Sequence, residues 1–455
     1  MRVRFKNVII PTLLACILSN CSSHSEPMPA QANSNDLKKA LNPELIASDK
    51  TFLKDSKVTT ENLKNFAQIN NAFAFSLYAK LNQGDKVNIV LSPFSVQSAF
   101  ALLYPGSSPT AEAEISKALQ FTLPQTKFQD NMNAQMLSYS AMASKIGSKS
   151  SDEPKIELNI ANDVWVKKGK KLQTDYLDTI KTFYNAGVRP LDFESDPEGS
   201  RKIINAYISA TTKDKIKDLL PPNSIQPSTA MVLSNAIYLY ADWAVPFEKE
   251  NTQKADFKIE GGSTKKVQMM HGTRYSAYAE TESYQAVSLP YTGDKLAMMI
   301  ILPKKVGGLA AVEKSLDASS WTKLLASTKD EEVDLSLPKF DFKWGTQSLK
   351  ETLKELGLKA VFSTENNNFP KLLEADKPDE KYFISDVLHQ ATVTIDEKGT
   401  IAAAATAIVG GDGASASPGE TIPPKVVRVD HPATFVIYDT KSSGILFLGH
   451  IANFE

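Results

Sequence analysis

The sequence predicts an α+β fold. Helical periodicity dominates the early part of the chain, strand patterns crowd the end, and no regular strand–helix–strand repeat links them. With 455 residues the chain can bury a large core, although length alone would also allow two or three domains. Its 42% hydrophobic, 23% charged composition is that of a globular protein rather than a disordered one. A formal net charge of -1 offers no basic field to nucleic acid or to an anionic membrane. Past residue 30 no apolar run is long enough for a transmembrane helix.

The first residues have the pattern of an export signal. Arg2, Arg4 and Lys6 precede a short apolar stretch over 8–18. It ends in Leu18-Ser19-Asn20-Cys21, which resembles a bacterial lipobox; Asn20 departs from the small residue usual before the cysteine. The expectation is a signal segment over 1–21, a lipid anchor on Cys21, and a cell-envelope lipoprotein, with plain secretion to the exterior as the alternative. Residues 22–60 are polar and without periodicity, and are expected to form a flexible tether to a body over 61–455. Both cysteines, Cys16 and Cys21, lie in the signal segment, so the body has neither disulfide nor thiol nucleophile. The five histidines are scattered, no HExxH or CxxC occurs, and no metal or cofactor is expected.

Along the body, Phe66, Ile69, Phe73, Leu77 and Leu81 recur at three- and four-residue spacing and predict a helix over 61–81. Helical patterns follow over 95–104, after Thr110 as a cap, over 172–183, and over 200–220 up to Pro221-Pro222. Strands are predicted over 160–166, 231–239 and repeatedly over 286–302, with one ending at Pro338. A helix over 349–356 closes at Gly357. Strands over 434–438 and 445–451 flank the turn Lys441-Ser442-Ser443-Gly444, a hairpin signal. Residues 410–419, rich in Gly, Ala and Ser, predict an exposed loop.

One stretch does not behave like its surroundings. A strand enters through Val393 and Ile395, Gly399 interrupts it, and a run of small residues follows. In extended form Thr400, Ala402, Ala404 and Thr406 share one face, all small and uncharged. Such a segment can slide between two existing strands. Alanine nevertheless favours helix over strand, so the run is committed to neither state. On composition alone an alanine-rich linker or plain helix fits as well.

Context decides between them. Glu397-Lys398-Gly399-Thr400-Ile401-Ala402-Ala403-Ala404-Ala405-Thr406 resembles the hinge of inhibitory serpins, and the resemblance runs from about Asn70 to Asn453. It is carried in order by Asn88-Ile89-Val90-Leu91-Ser92-Pro93-Phe94-Ser95, by Asn162-Asp163-Val164-Trp165-Val166 and by Ser234-Asn235-Ala236-Ile237-Tyr238 with Trp243, Pro246 and Phe247. Ile384-Ser385-Asp386-Val387-Leu388-His389-Gln390-Ala391, Asp430-His431-Pro432 and Gly444-Ile445-Leu446-Phe447-Leu448-Gly449 complete it.

The resemblance implies a serpin fold, with helices around a large central mixed sheet, two smaller sheets and an exposed reactive-centre loop over about 397–425. It implies a monomeric protease inhibitor acting as a suicide substrate. The target protease cleaves the loop, forms an acyl-enzyme and is trapped when 399–408 insert into the main sheet. It further implies hinge roles for Glu397, Gly399, Thr400, Ala402, Ala404 and Thr406, a shutter of Ser92, Ser95, Asn235 and His389, and a breach at Trp243. The family's hinge-to-bond length, counted from Glu397, places the reactive bond at Gly413–Ala414. Counting back from Asp430-His431-Pro432 points further on, near Thr421, so extra residues fall over 415–420. With no basic residue over 408–413, the expected partner is an elastase- or subtilisin-like serine protease, or a papain-like cysteine protease. Two alternatives stand beside this reading. One is a non-inhibitory serpin acting as a binding protein. The other is an enzyme, for which the sequence lacks a GxSxG elbow, a phosphate-binding P-loop and a zinc motif.

Overall fold

The computed structural model describes residues 42–82, 87–145, 156–259, 261–400 and 423–454. Helix α1 (Thr60–Leu81) begins where Thr59 accepts the Asn62 N–H, and it buries Phe66, Phe73 and Leu77 on one face. The short strand β1 (Ile89–Leu91) leads into α2 (Pro93–Leu103), capped by Ser92 and buried at every residue. Helix α3 (Pro109–Ala118) is capped by Ser108, two residues earlier than the expected Thr110. Pro109 follows the cap, where a missing N–H costs nothing. Helix α4 (Gln125–Lys145), rich in Asn and Gln, has little amphipathic contrast to advertise it in the sequence.

The middle of the chain supplies β2 (Ile156–Lys167), α5 (Thr174–Tyr184), β3 (Val188–Leu191), α6 (Pro197–Thr211) and β4 (Met231–Asp242). The expected helix over 200–220 therefore stops at Thr211, well short of Pro221. Lys213 and Asp214 take left-handed φ of 51° and 61°, and the Thr212 hydroxyl bonds the Ile208 carbonyl at 2.8 Å while accepting the Ile216 N–H. The remaining strands are β5 (Gln253–Lys258), β6 (Thr264–Glu280), β7 (Tyr284–Pro290), β8 (Leu296–Pro303), β9 (Lys329–Pro338), β10 (Phe340–Ser348), β11 (Val387–Ile395), β12 (Gly399–Thr400), β13 (Lys425–Arg428), β14 (Ala433–Asp439) and β15 (Ile445–Ile451). Helices α7 (Leu309–Lys314), α8 (Ala318–Ser327) and α9 (Lys350–Glu355) lie among them.

Two sheets organise the described residues, and the α+β class stands. A six-stranded mixed sheet runs β10-β11-β12-β4-β2-β3, with β11 also pairing directly with β4. The second sheet runs β1-β15-β14-β8-β7-β6-β9-β13, with β5 also on β6. Its two halves share β6, whose 17 residues pair with β5 and β9 and then, through Tyr278, Ala279 and Glu280, with β7. The expected two smaller sheets are thus joined by one long strand. Helix α2 packs against β2, β4 and β15, inside the main core. On the other face of β2 and β4, Ile204 and Ile208 of α6 join Trp165, Phe193, Leu219 and Leu220 in a separate apolar cluster. The main sheet is covered on both sides, so the alternating residues of β4 are nearly all buried.

The expected tether over 22–60 needs correction in its described part. Residues 43–53 form a strap laid on the body. Ile46 exchanges two backbone hydrogen bonds of 2.8 Å with Val188 of β3, and the Pro43 carbonyl accepts from Arg189 at 2.9 Å. The Leu53 N–H bonds the Thr182 carbonyl of α5 at 2.8 Å, and Asn133 of α4 donates to the Leu53 carbonyl at 3.1 Å. Polar composition hid this because the strap is held mainly through its backbone. Residues 1–41, including Cys21, lie outside the described residues.

Gly187 makes the strap possible: a Cβ there would meet the Ile46 carbonyl oxygen at 2.5 Å and Leu45 at 2.9 Å. Gly187→Ala should therefore lift the strap and lower stability by about 1–3 kcal/mol. Thermal unfolding measures the loss, and limited proteolysis should newly cut within 42–53. Gly345→Ala, with nothing within 4 Å of its Cβ, is the control and should leave both unchanged.

Candidate functional site

The site lies where two strands share one edge of β4. β11 pairs in parallel with β4 from Val387↔Leu233 to Ala391↔Ile237, and there the pairing stops. Beyond it the two-residue strand β12 lies between them, with Ile395↔Thr400 on one side and Thr400↔Ala241 on the other. The Thr392 hydroxyl, buried just where β11 leaves β4, has no hydrogen-bond partner. Below Thr400 the edge of β4 is thus unclaimed by β11 over three residues and claimed again from Ile237.

The segment leading to β12 is fastened at each residue. The Glu397 carboxylate is 2.7 Å from Lys339 Nζ and accepts from the Thr252 hydroxyl at 2.8 Å, and its carbonyl accepts the Phe247 N–H at 2.8 Å. Burial opposes the charge on Glu397, but the bonds from Lys339 and Thr252 hold its carboxyl below the ordinary range. The Lys398 carbonyl accepts the Trp243 N–H at 2.6 Å. Gly399 has φ +155°, and a Cβ there would meet the Ala241 carbonyl oxygen at 2.1 Å, so only glycine fits. Thr400 is fully buried, its hydroxyl 2.8 Å from that of Tyr291. Trp243 stacks on Tyr291 with ring centres 4.6 Å apart, and its indole N–H donates to the Asp396 carbonyl at 3.1 Å.

Ser92, Ser95, Asn235 and His389 come together under the paired part of β4 and β11. His389 Nδ1 is 2.7 Å from Asn235 Oδ1, and the Ser92 N–H points at His389 Nε2 at 3.2 Å. The ring therefore donates from Nδ1 and accepts at Nε2, which makes it the neutral Nδ1–H tautomer. Asn235 Nδ2 lies 2.7 Å from the Ser95 carbonyl, 2.6 Å from Ser95 Oγ and 2.6 Å from Asn162 Oδ1. Ser92 Oγ donates to the Leu446 carbonyl at 2.7 Å, and Asn162 Nδ2 donates to Ser98 Oγ at 2.6 Å. Every member of the expected four is fully buried, and His389↔Asn235 is itself the middle pair of the five that join β11 to β4.

Several expected residues, Ala402, Ala404, Thr406, Gly413 and Ala414, lie outside the described residues. Lys339, Thr252, Tyr291, Asn162 and Ser98 belong to the site and were not singled out by the sequence. Nothing local could have marked Lys339 or Tyr291: Lys339 meets Glu397 from 58 residues away and Tyr291 meets Thr400 from 109. Among the described residues no group of three or more His, Cys, Asp or Glu side chains could hold a metal ion.

Comparison with known proteins gives the family of this fold. The family model described as Serpin (serine protease inhibitor) matches residues 68–454. An uncharacterized serpin-like protein of Methanosarcina mazei is 31% identical over 459 residues, covering 98% of this chain and 97% of its own. Human Serpin B3 is 32% identical over 407 residues, covering 86% of this chain and all of its own. The crystal structure of the thermophilic serpin tengpin in the native state superposes with a TM-score of 0.75 at 25% identity, over 90% of this chain and all of tengpin.

Burial brings the His389 imidazole down to about 3. Protonating Nε2 would also set two donors, Nε2–H and the Ser92 N–H, against each other. An unfolded chain takes up this proton first, near pH 6.5. The stabilisation is therefore fully present above about pH 6.5 and is lost as pH falls toward 3, by up to about 1.4 kcal/mol per pH unit. Denaturant unfolding between neutral pH and about pH 4 should show a steeper loss for the natural chain than for His389→Gln; equal slopes would contradict the lowered proton affinity of the buried imidazole.

Proposed function

The chain belongs to the serpin family, whose members are generally protease inhibitors rather than catalytic enzymes, and from that premise we propose that it traps its target as a suicide substrate. The protease nucleophile attacks the carbonyl carbon of the reactive bond, proposed at Gly413–Ala414, and the Ala414 amine leaves. The loop is then covalently held as an acyl-enzyme. Freed at that bond, 399–408 add to the main sheet and carry the protease with them, distorting its site before water can cleave the ester or thioester.

The observation that carries the proposal is β12. Its two residues already pair antiparallel with β4 on the side where β11 has withdrawn. Extending the register Thr400↔Ala241 along β4 sets Ala402 opposite Leu239, Ala404 opposite Ile237, Thr406 opposite Asn235 and Ile408 opposite Leu233. Each of these β4 residues is buried on the face against α2. Small residues on the entering strand suit that face. Insertion past Ala403 requires the five β11–β4 pairs to part, and the His389–Asn235 hydrogen bond with them. Thr406, arriving opposite Asn235, offers a hydroxyl in exchange. The uncharged inserting face disfavours the alternative of a non-inhibitory binding serpin.

The proposed targets are elastase- or subtilisin-like serine proteases, or papain-like cysteine proteases, because 408–413 carry no basic side chain. We place the monomeric body outside the cytoplasm, on a lipid anchor at Cys21 or free in the exterior. Incubation with neutrophil elastase, subtilisin and papain, followed by denaturing gels, should show a boiling-resistant conjugate with one of them. Clean loop cleavage with full protease activity throughout would overturn the trapping mechanism. Thr400→Arg puts a charge into a fully buried position and should abolish the conjugate while loop cleavage persists. Labelled palmitate should enter the natural chain, expressed in a bacterial host, and should not enter Cys21→Ala.

A further inference from the structure

Between the strap and α1 the chain is tied at two points and untied between them. The Leu53 N–H bonds the Thr182 carbonyl, and Thr59 caps α1. Among the described residues, 54–58 make no hydrogen bond to any other segment; the one they form, from the Val58 N–H to Ser56 Oγ at 3.1 Å, is internal. This stretch borders a cleft of about 590 Å³ whose other walls are α1 and the start of α4. The apolar lining is Leu53, Val58, Phe66, Ile69 and Leu123. Phe66 is fully buried, while the other four are half-buried and keep part of their surface open. Sites for small organic molecules have this size and this make-up, an apolar lining with a few polar groups set around it.

Four charged side chains line the same cleft, Asp55 and Lys57 from the untied stretch and Lys127 and Asp130 from α4. They are two anions and two cations, and among the described residues none of the four enters an ion pair or a side-chain hydrogen bond. Their charges sum to zero, so a ligand head of one sign meets as much repulsion as attraction. A head that carries both signs can face an opposite charge with each. The apolar lining, for its part, gains from any hydrocarbon that takes it out of water.

We propose that this cleft is a binding site for a single-chain amphiphile with a zwitterionic head. Its hydrocarbon lies on Phe66, Ile69 and Leu123, and its head lies among Asp55, Lys57, Lys127 and Asp130. An occupant there supplies what the stretch 54–58 lacks, a contact that joins it to α1 and α4. The binding does not depend on the trapping mechanism and is tested without a protease.

Calorimetric titration of the full chain at neutral pH with dodecylphosphocholine, kept below the concentration at which it forms micelles, should give saturable binding. The thermal midpoint should rise alongside it, and limited proteolysis within 54–58 should slow. Dodecyl maltoside has the same chain and an uncharged head, and it should bind about threefold more weakly or worse, as expected when exposed charge pairs are lost. Asn65 lines the cleft, is exposed and has no side-chain hydrogen bond, so Asn65→Trp fills the space without disturbing the cap of α1. This variant, verified as folded by circular dichroism, should bind dodecylphosphocholine less well. Leu123→Ser leaves the opening but removes apolar lining, and it should weaken binding too. No saturable binding to the natural chain, binding by both variants equal to that of the natural chain, or equal affinity for dodecyl maltoside overturns the proposal.

Discussion

A strand has two edges, and each edge can be hydrogen-bonded once. In this protein one edge of β4 is shared between two claimants, β11 in parallel from Leu233 to Ile237 and β12 in antiparallel at Ala241 and Asp242. The rest of the site follows from that division. Parallel pairing is slightly the weaker of the two per residue. The claimant now holding the larger share is therefore the one with less to lose from exchange, and on the proposed mechanism the entering strand would replace it with the stronger ladder. On the proposed mechanism the native sheet is a compromise that cleavage of the loop resolves.

Such a compromise must be held without being locked. The polar cluster beneath the five pairs is suited to that part in the proposed mechanism. His389 and Asn235 bind each other side to side, while Ser92, Ser95, Asn162 and Ser98 fasten the same pair to α2 and β2. Apolar residues in their place would offer no directional contact between β11 and β4. Hydrogen bonds at 2.6–2.7 Å in a dry interior depend steeply on position, so they define the closed sheet sharply. They can also be exchanged for equivalent bonds when a new hydroxyl arrives, which an apolar contact of fixed shape cannot offer.

The sequence displayed the hinge and concealed what holds it. Gly399 and the small residues after it form a local pattern, and their chemistry is visible in order along the chain. Glu397 was singled out by the resemblance, but its pairing with Lys339 and Thr252 is a property of three distant segments meeting. Ser92, Ser95, Asn235 and His389 were legible through their surrounding motifs; Asn162 stood inside one of those motifs, and its role needed the register that sets it opposite Asn235. Helix ends were misjudged where side-chain chemistry competes with pattern. Ser108 with Pro109 outbids Thr110 as a start, and the Thr212 hydroxyl with two left-handed residues ends α6 before any proline. The strap escaped notice because backbone hydrogen bonds and one glycine hold it, and neither leaves an apolar signature.

Gly399 brings these threads to one atom. The Ala241 carbonyl oxygen lies 2.1 Å from where a Cβ would be, so β12 can enter the sheet only because this residue has no side chain. One residue later the requirement reverses: Thr400 must have a side chain, since its hydroxyl meets Tyr291 and its bulk closes the core between β4 and β11. Glycine lets the chain turn in, and threonine anchors it. Together they seat both residues of β12 on the edge of β4, against Asp242 and Ala241. On the proposed mechanism a hinge already seated there has no gap to find after cleavage, which favours insertion over hydrolysis of the acyl-enzyme.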